Sequence, residues 1–351
     1  MIYQIAINFD KFTTVIYLIL KSFILESKFE IQPRIHHICA LINKEDSQED
    51  DKLLFHGGEY KNQILSNYTL FNLRTQTWIQ TLPKPKNLLP NVPQLKSHAC
   101  CHYSVVDKIE RNEKKGNNEK QINKVSYVII TGGLTIDHNT KCNVNIIGKC
   151  ACDSLKLNKQ IYIYYRESFT PIIIEDDSQE NTTDYSPLLA RYGHSMFNLN
   201  EKIYMICGFI QYIGFVIDII ELKINIKNTI TCSCKKLEIQ NMSEKFKGRI
   251  YSSVSTIFNK IVIFGGVKDN KTLNDMWIID FENEKNLVLT EVIINTDLIL
   301  PRFGMSTCII HDSLNTNKAR IMIFGGSYFN DENFKEGVTN ELLVLNLQVI
   351  I

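Results

Sequence analysis

Ten cysteines and eight histidines are the side chains of this sequence best suited to hold a metal or carry redox chemistry. Cys150-Ala-Cys152 and Cys232-Ser-Cys234, with Cys142 nearby, could offer thiolates to zinc. The spacing argues otherwise. Structural zinc sites use CxxC-like pairs or Cys/His knuckles, whereas a Cys-X-Cys pair on a strand puts both side chains on one face without the knuckle turn. A chain of 351 residues does not need disulfide staples either, so the cysteines read as reduced thiols of loops and strands. His36, His37, His56, His98, His102, His138, His194 and His311 could line a site for a redox metal. Three of them, His37, His98 and His194, recur at one position of an internal repeat, where a polar side chain satisfies local backbone groups. Arg34, Arg191, Arg249 and Arg302 could form a ring of cations for an acidic peptide. Their recurrence at one repeat position points instead to a structural task, the planar guanidinium bonding carbonyls of an adjacent repeat. No GxxxxGK[ST], GxSxG, HExxH or kinase signature occurs. The expectation is therefore a chain without catalytic, cofactor-binding or metal residues.

The elements that position these residues are set by a repeat. An apolar strand followed by Gly-Gly, or nearly so, occurs five times: LLFHGG ending at Gly58, VIITGG at Gly133, IYMICG at Gly208, IVIFGG at Gly266 and IMIFGG at Gly326. The successive intervals are 75, 75, 58 and 60 residues, the signature of an array of supersecondary units. Each unit reads as an Arg-containing turn, a strand, the apolar strand with its glycines, and two more strands, a four-stranded meander with period-two alternation. In the third copy Cys207 replaces the first glycine, and the second copy lacks the turn arginine.

The order PRxxHS, strand plus Gly-Gly, NDxWxxD and a late Trp resembles the kelch repeat family; it is carried by Pro33-Arg34, Ala190-Arg191-Tyr192-Gly193-His194-Ser195, Leu273-Asn274-Asp275-Met276-Trp277 and Trp78, among others. The resemblance covers nearly the whole chain and implies an all-β, kelch-type β-propeller with one blade per unit. The predicted layout is a single domain over 1–351, with blades at 32–92, 93–185 (with insertions), 186–245, 246–298 and 299–351, and a degenerate partial blade at 1–31, giving six. In that sixth blade MIYQIAINF is the second strand, TTVIYLIL the third and ESKFEI the fourth, while the last unit stops where its own fourth strand should begin. Tyr204, Tyr251, Trp78 and Trp277 are expected between blades. The charged stretches Lys44–Lys52, Lys108–Lys124 and Glu175–Asp184 are expected to be solvated loops.

The formal charge of +1, from 39 basic and 38 acidic residues, gives no global field for nucleic acid or an anionic membrane. TTVIYLIL is too short to span a bilayer and lacks the flanks of a secretory leader. Sequons at Asn67, Asn181, Asn241 and Asn270 arise readily by chance in an Asn-rich chain. The resemblance thus implies a cytoplasmic, non-catalytic scaffold that binds a partner protein or peptide through propeller rim loops. The alternatives are an accessory propeller of a larger enzyme system, such as a ubiquitin-ligase adaptor or a tRNA-modifying methyltransferase-like protein, and a metal-dependent oxidase or lyase with a channel site. Galactose-oxidase-like chemistry would require copper held by His and Tyr ligands and a Cys cross-linked to Tyr, and no local motif marks such a site.

Overall fold

The computed structural model describes residues 3–7, 36–42, 50–60, 63–75, 77–79, 92–111, 120–136, 155–175, 186–226, 229–293, 300–311, 318–329, 336–338 and 342–349. Five four-stranded antiparallel meanders account for the repeats, and the second and third are joined into one eight-stranded sheet by a short parallel pairing, Ile173↔Thr231 and Ile174↔Cys232. The first contains Ile38–Ile42, Lys52–His56, Tyr68–Asn72 and Thr77–Ile79; the second Ala99–Arg111, Lys120–Thr131, Ile161–Tyr165 and Ser168–Ile174. The third contains Ser195–Leu199, Lys202–Ile206, Ile219–Ile226 and Ile230–Leu237, and the fourth Ser253–Ile257, Lys260–Phe264, Met276–Asp280 and Val288–Val292. The fifth contains Ser306–His311, Lys318–Phe324, Leu342–Val349 and, as its outermost strand, Tyr3–Ile7. Two compact units result: Ser27–Arg191 with Ile224–Ser233 carries the first two sheets and part of the last two strands of the third, and the rest of the chain carries what remains.

Burial explains why the second strand of each repeat is the most apolar. In the fourth sheet every residue of Lys260–Phe264 is buried, because its two faces meet different neighbours. Ile261 and Ile263 pack with Ile206, Ile219 and Tyr204 of the third sheet, whereas Val262 and Phe264 pack with Ile321, Ile323 and Leu343 of the fifth. A single sheet has two apolar faces and cannot cover either alone, so stacking the repeats is what stabilises them, at about 1.5–3 kcal/mol per fully buried large side chain. Trp277 and Tyr204, 2% and 1% exposed, share the core between the third and fourth sheets, as expected of inter-blade aromatics. Trp78 does not: it packs on Phe55 and Phe71 of its own sheet and is only half-buried. In the other unit Leu54, Leu70, Val128, Ile130, Tyr164 and Phe169 join the first and second sheets.

Two sequence expectations are corrected. Residues 3–7 are not the second strand of a sheet of their own; they pair antiparallel with the fifth sheet, from Tyr3↔Val349 to Ile7↔Leu345, supplying the fourth strand that the last repeat lacks. An uncovered strand edge exposes backbone donors and acceptors, which favours this pairing. The remaining segments of that expected blade, TTVIYLIL and ESKFEI, lie outside the described residues. The insertion Lys108–Lys124 is not simply a loop, since its described parts prolong the second sheet's first hairpin as a two-stranded ribbon, with Lys108↔Asn123, Ile109↔Ile122, Glu110↔Gln121 and Arg111↔Lys120 paired past a bulge at Val106.

Polar ties supplement the core. Lys202 of the third sheet bonds Glu284 in the turn after the fourth sheet's third strand at 2.5 and 2.7 Å, and the Tyr204 hydroxyl donates to Glu284 at 3.0 Å. At the outer edge of the fourth sheet, Asn241 behaves as a substitute strand: its amide donates to Leu289 O and accepts from Leu289 N–H, both at 2.7 Å.

Two outcomes follow. Gly266 has φ of 103°, and a Cβ there would lie 2.9 Å from Ile250 O and 3.1 Å from Ser252 Cβ, so Gly266→Val should cost roughly 2 kcal/mol or more in urea unfolding, while exposed Lys236→Ala stays within about 0.5 kcal/mol. The Lys202 hydrogen bond holds the Glu284 carboxyl below its ordinary range, opposed by desolvation and aided by Tyr204. Its contribution is therefore full above the unfolded value and lost as pH falls through the lower folded value, so Glu284→Gln should flatten the acid limb of stability measured by melts below about pH 5.

Candidate functional site

The glycine pairs and the arginine turns meet at one end of the sheets, and backbone geometry explains both. The turns align as Leu95-Lys96-Ser97-His98, Arg191-Tyr192-Gly193-His194, Arg249-Ile250-Tyr251-Ser252 and Arg302-Phe303-Gly304-Met305. The third residue is left-handed in every copy: φ is 55° at Ser97, 65° at Gly193, 55° at Tyr251 and 64° at Gly304, and 56° at His36 of the first repeat. The first residue's carbonyl accepts from the second glycine of the preceding repeat, Gly58 to Leu95 at 2.8 Å, Gly133 to Arg191 at 2.7 Å, Gly208 to Arg249 at 2.8 Å and Gly266 to Arg302 at 2.9 Å. The third residue's N–H donates to the same position one repeat earlier, Ser97 to His36 at 2.9 Å, Tyr251 to Gly193 at 2.7 Å and Gly304 to Tyr251 at 2.9 Å.

The arginines are structural, but not in the way expected. Arg191, Arg249 and Arg302 are fully buried, so they present no ring of cations to a ligand. Arg249 forms a two-pronged pair with Asp275 at 2.6 and 2.8 Å and donates to Lys247 O and Gly265 O. Trp277 Nε1 donates to the same carboxylate at 2.6 Å, and the guanidinium lies 4.9 Å from the centre of the Phe246 ring. Arg302 repeats the pattern on Leu300 O and Gly325 O, and Arg191 donates to Leu188 O. Gly265 O and Gly325 O belong to the glycine turn of the arginine's own repeat, and Lys247 O and Leu300 O lie two residues before the arginine; the link to the preceding repeat is made by the arginine's backbone carbonyl. Arg34 lies outside the described residues, and Leu95 fills the second repeat's arginine position.

Among the described residues the candidate metal ligands do not converge on one site. His56 and His98 meet at 3.0 Å, whereas His102 bonds Ser126 at 2.7 Å and is kept below the usual imidazole range by burial. His37 is exposed beside Phe55, His194 is buried and His36 is half-buried. His138, the His311 side chain, Cys142, Cys150 and Cys152 lie outside what is described. Cys232 is buried, with its thiol on Ser233 O, and Cys234 is half-buried. Cys39, Cys100 and Cys101 lie close on the first strands of neighbouring sheets, Cys100 Sγ being 3.7 Å from Cys39 O. Burial pushes the Cys39 thiol up to about 11, Cys101 to about 12 and Cys100 higher still, leaving protonated thiols that are poor nucleophiles. Among the described residues no group of three or more His, Cys, Asp or Glu is placed to hold a metal.

What this end of the sheets does carry is a row of aromatic rings. Phe215, Phe209, Tyr192, Tyr251 and Phe303 follow one another with centroid separations of 5.2, 5.4, 6.5 and 6.2 Å, backed by Ile250 and Val267. All but Phe303 are half-buried, and burial raises the Tyr192 hydroxyl above its usual range. Beside the row, the hairpin Phe209–Phe215 turns at Tyr212, 95% exposed with φ of 68°, and Ile213, 62% exposed. Tyr251 was legible as an inter-repeat aromatic. The others were not singled out: rings stand at the second turn position in two copies, Tyr192 and Phe303, and only Phe209 directly follows the glycine position.

A repeated four-stranded meander with a glycine exit and a stitched turn is the blade of a β-propeller, and among the described residues the chain is all-β apart from the short helix Ser186–Leu189. Residues 175–349 match the KLHDC2/KLHL20/DRC7 Kelch-repeats domain, and the chain belongs to the kelch-repeat family. No curated protein matches it. No helix among the described residues is long and apolar enough to cross a membrane.

Asp275→Asn keeps the shape of the pair but leaves the buried Arg249 charge without its counter-ion, so chemical denaturation should show a loss of about 3 kcal/mol. A change near zero would mean that the carbonyls alone hold the guanidinium.

Proposed function

We propose that this kelch domain is a non-catalytic scaffold that binds a partner protein or peptide at the end of the sheets bearing the turns and the post-glycine hairpins. Kelch-repeat domains are typically non-catalytic platforms for protein interaction. The observation that carries the reading for this chain is the aromatic row from Phe215 to Phe303 with Tyr212 and Ile213 beside it. Tyrosine and phenylalanine offer large contact area at small conformational cost, and an exposed Tyr-Ile tip matches the composition of binding hot spots. The strands and stitched turns beneath hold these side chains in place before contact, which reduces the ordering cost of association. The left-handed backbone at Tyr212 supports the same reading, since strain in a non-glycine residue persists chiefly where the surroundings require a particular presentation. The free thiols fit a reducing, cytoplasmic setting.

Affinity capture from the native cell, followed by mass spectrometry, tests the proposal. The wild-type domain should recover a specific protein, and Tyr212→Ser/Ile213→Ser, both at an exposed tip, should weaken that capture about tenfold or more without altering the melt. Recovery of nothing above background would sink the scaffold reading, and undiminished capture by the double variant would move the site off the aromatic end.

A further inference from the structure

The fold and the proposed binding face make no use of a buried pair of imidazoles. His56 ends the second strand of the first sheet, directly before Gly57, and is 0% exposed. His98 follows the left-handed Ser97 and leads into the second sheet; it is 6% exposed. His56 Nε2 lies 2.9 Å from Pro93 O, and a carbonyl can only accept, so Nε2 carries the hydrogen. Nδ1 of the neutral ring is then an acceptor, and His98 Nε2, 3.0 Å away, donates to it. The rings meet edge-on with centroids 5.1 Å apart, and Phe169 of the second sheet covers His56 at 4.8 Å.

We propose that His56 and His98 form a proton-sensitive clasp between the first and second repeats, closed when both rings are neutral and loosened by mild acidification. A proton added to His56 turns its Nδ1 into a donor, so His98 must give up its Nε2 hydrogen to keep the bond. A second proton sets two N–H groups against each other and places paired positive charge in a buried site. The titratable neighbours named here, all among the described residues, are placed as follows. Tyr68 of the first sheet and Tyr164 of the second, both in contact with Phe169, are pushed further toward the neutral form by burial. Lys96 in the turn is already paired with Glu59 at 2.6 Å, and Glu167, at the turn after Tyr164, is exposed to solvent. The unfolded chain takes up protons on ordinary histidines near roughly pH 6.5, so it binds more protons than the clasp as pH falls below that value, and stability at this junction falls with it.

The chain supplies its own control. A Cβ on Gly57 would meet Leu95 O at 2.4 Å and His98 Cε1 at 2.8 Å, and one on Gly265 would meet Arg302 O at 2.4 Å and Met305 Cε at 2.8 Å. His56 and His98 in the first and second repeats therefore correspond to Phe264 and Met305 in the fourth and fifth, an apolar pairing with nothing to titrate. The full chain and His56→Phe/His98→Met are compared by thermal melts, and by hydrogen exchange of residues 52–60 and 92–104, at about pH 7.5 and about pH 5.5. The wild type should lose melting temperature and show local opening about tenfold greater than the variant at the lower pH, while the variant shows little pH response. The same pH response in both would overturn the clasp. Should the variant fail to fold, exchange at the imidazole C2 position in the wild type decides: His56 and His98 should remain neutral at pH values where exposed His37 is charged, and titration alongside His37 with no loss of protection would overturn the proposal.

Discussion

One constraint recurs along the repeats: a residue held left-handed at the turn, whose N–H at Ser97, Tyr251 and Gly304 reaches the carbonyl of the same position one repeat earlier. That bond, together with the glycine N–H donated to the next repeat's first turn carbonyl, connects neighbouring modules through main-chain atoms alone. Side chains at these positions are consequently free to differ, and His36, Ser97, Gly193, Tyr251 and Gly304 all hold the same left-handed backbone. For Tyr251 the conformation carries a cost of about 1 kcal/mol or more, offset by the bonds it makes at 2.7 and 2.9 Å to the turns on either side. The glycine exit is less permissive, because there the carbonyl of the next repeat occupies the space a Cβ would need. Cys207 is the exception, left-handed with φ of 62° and fully buried in the core between the third and fourth sheets.

The arginine and the glycine pair are two halves of one joint. The side chains of Arg249 and Arg302 fasten to the glycine turn of their own repeat, and their backbone carbonyls receive the glycine of the repeat before. Burying a guanidinium is expensive unless its donors are matched, and Asp275, Gly265 O and Lys247 O provide that matching for Arg249. In the second repeat Leu95 keeps the backbone role and abandons the ion pair, evidence that the main-chain bond is the indispensable part.

Much of this was readable from residues alone, because the period and the apolar second strand are dictated by double-sided burial, which leaves a run such as IVIF unbroken by polar residues. The pairing of residues 3–7 was not readable, since a short alternating strand carries no mark of its partner and only the uncovered edge of Leu342–Val349 selects it. Nor did the sequence reveal which carbonyls the arginines reach, a matter of side-chain direction rather than spacing. The ribbon from Lys108 was hidden by its composition: charged and Asn-rich residues suggest a loop, yet pairing with a strand already in register extends the hairpin regardless of propensity. The aromatic row was concealed for a different reason, as its members come from turns and hairpins far apart in the chain and become neighbours only when the repeats stack.

Asn241 sits in an Asn-Met-Ser triplet, an acceptor signature for N-linked sugar, yet both ends of its carboxamide are committed to Leu289. A sugar on that nitrogen would replace one of its two hydrogens with a bulky substituent and force the amide away from the strand it shields. The margin of the fourth sheet would then keep only the neighbouring bond from Gln240 N–H to Leu287 O. A residue that resembles an attachment point for carbohydrate thus serves as a cap on a strand edge, and glycan attachment would compete with the bonds that make the cap.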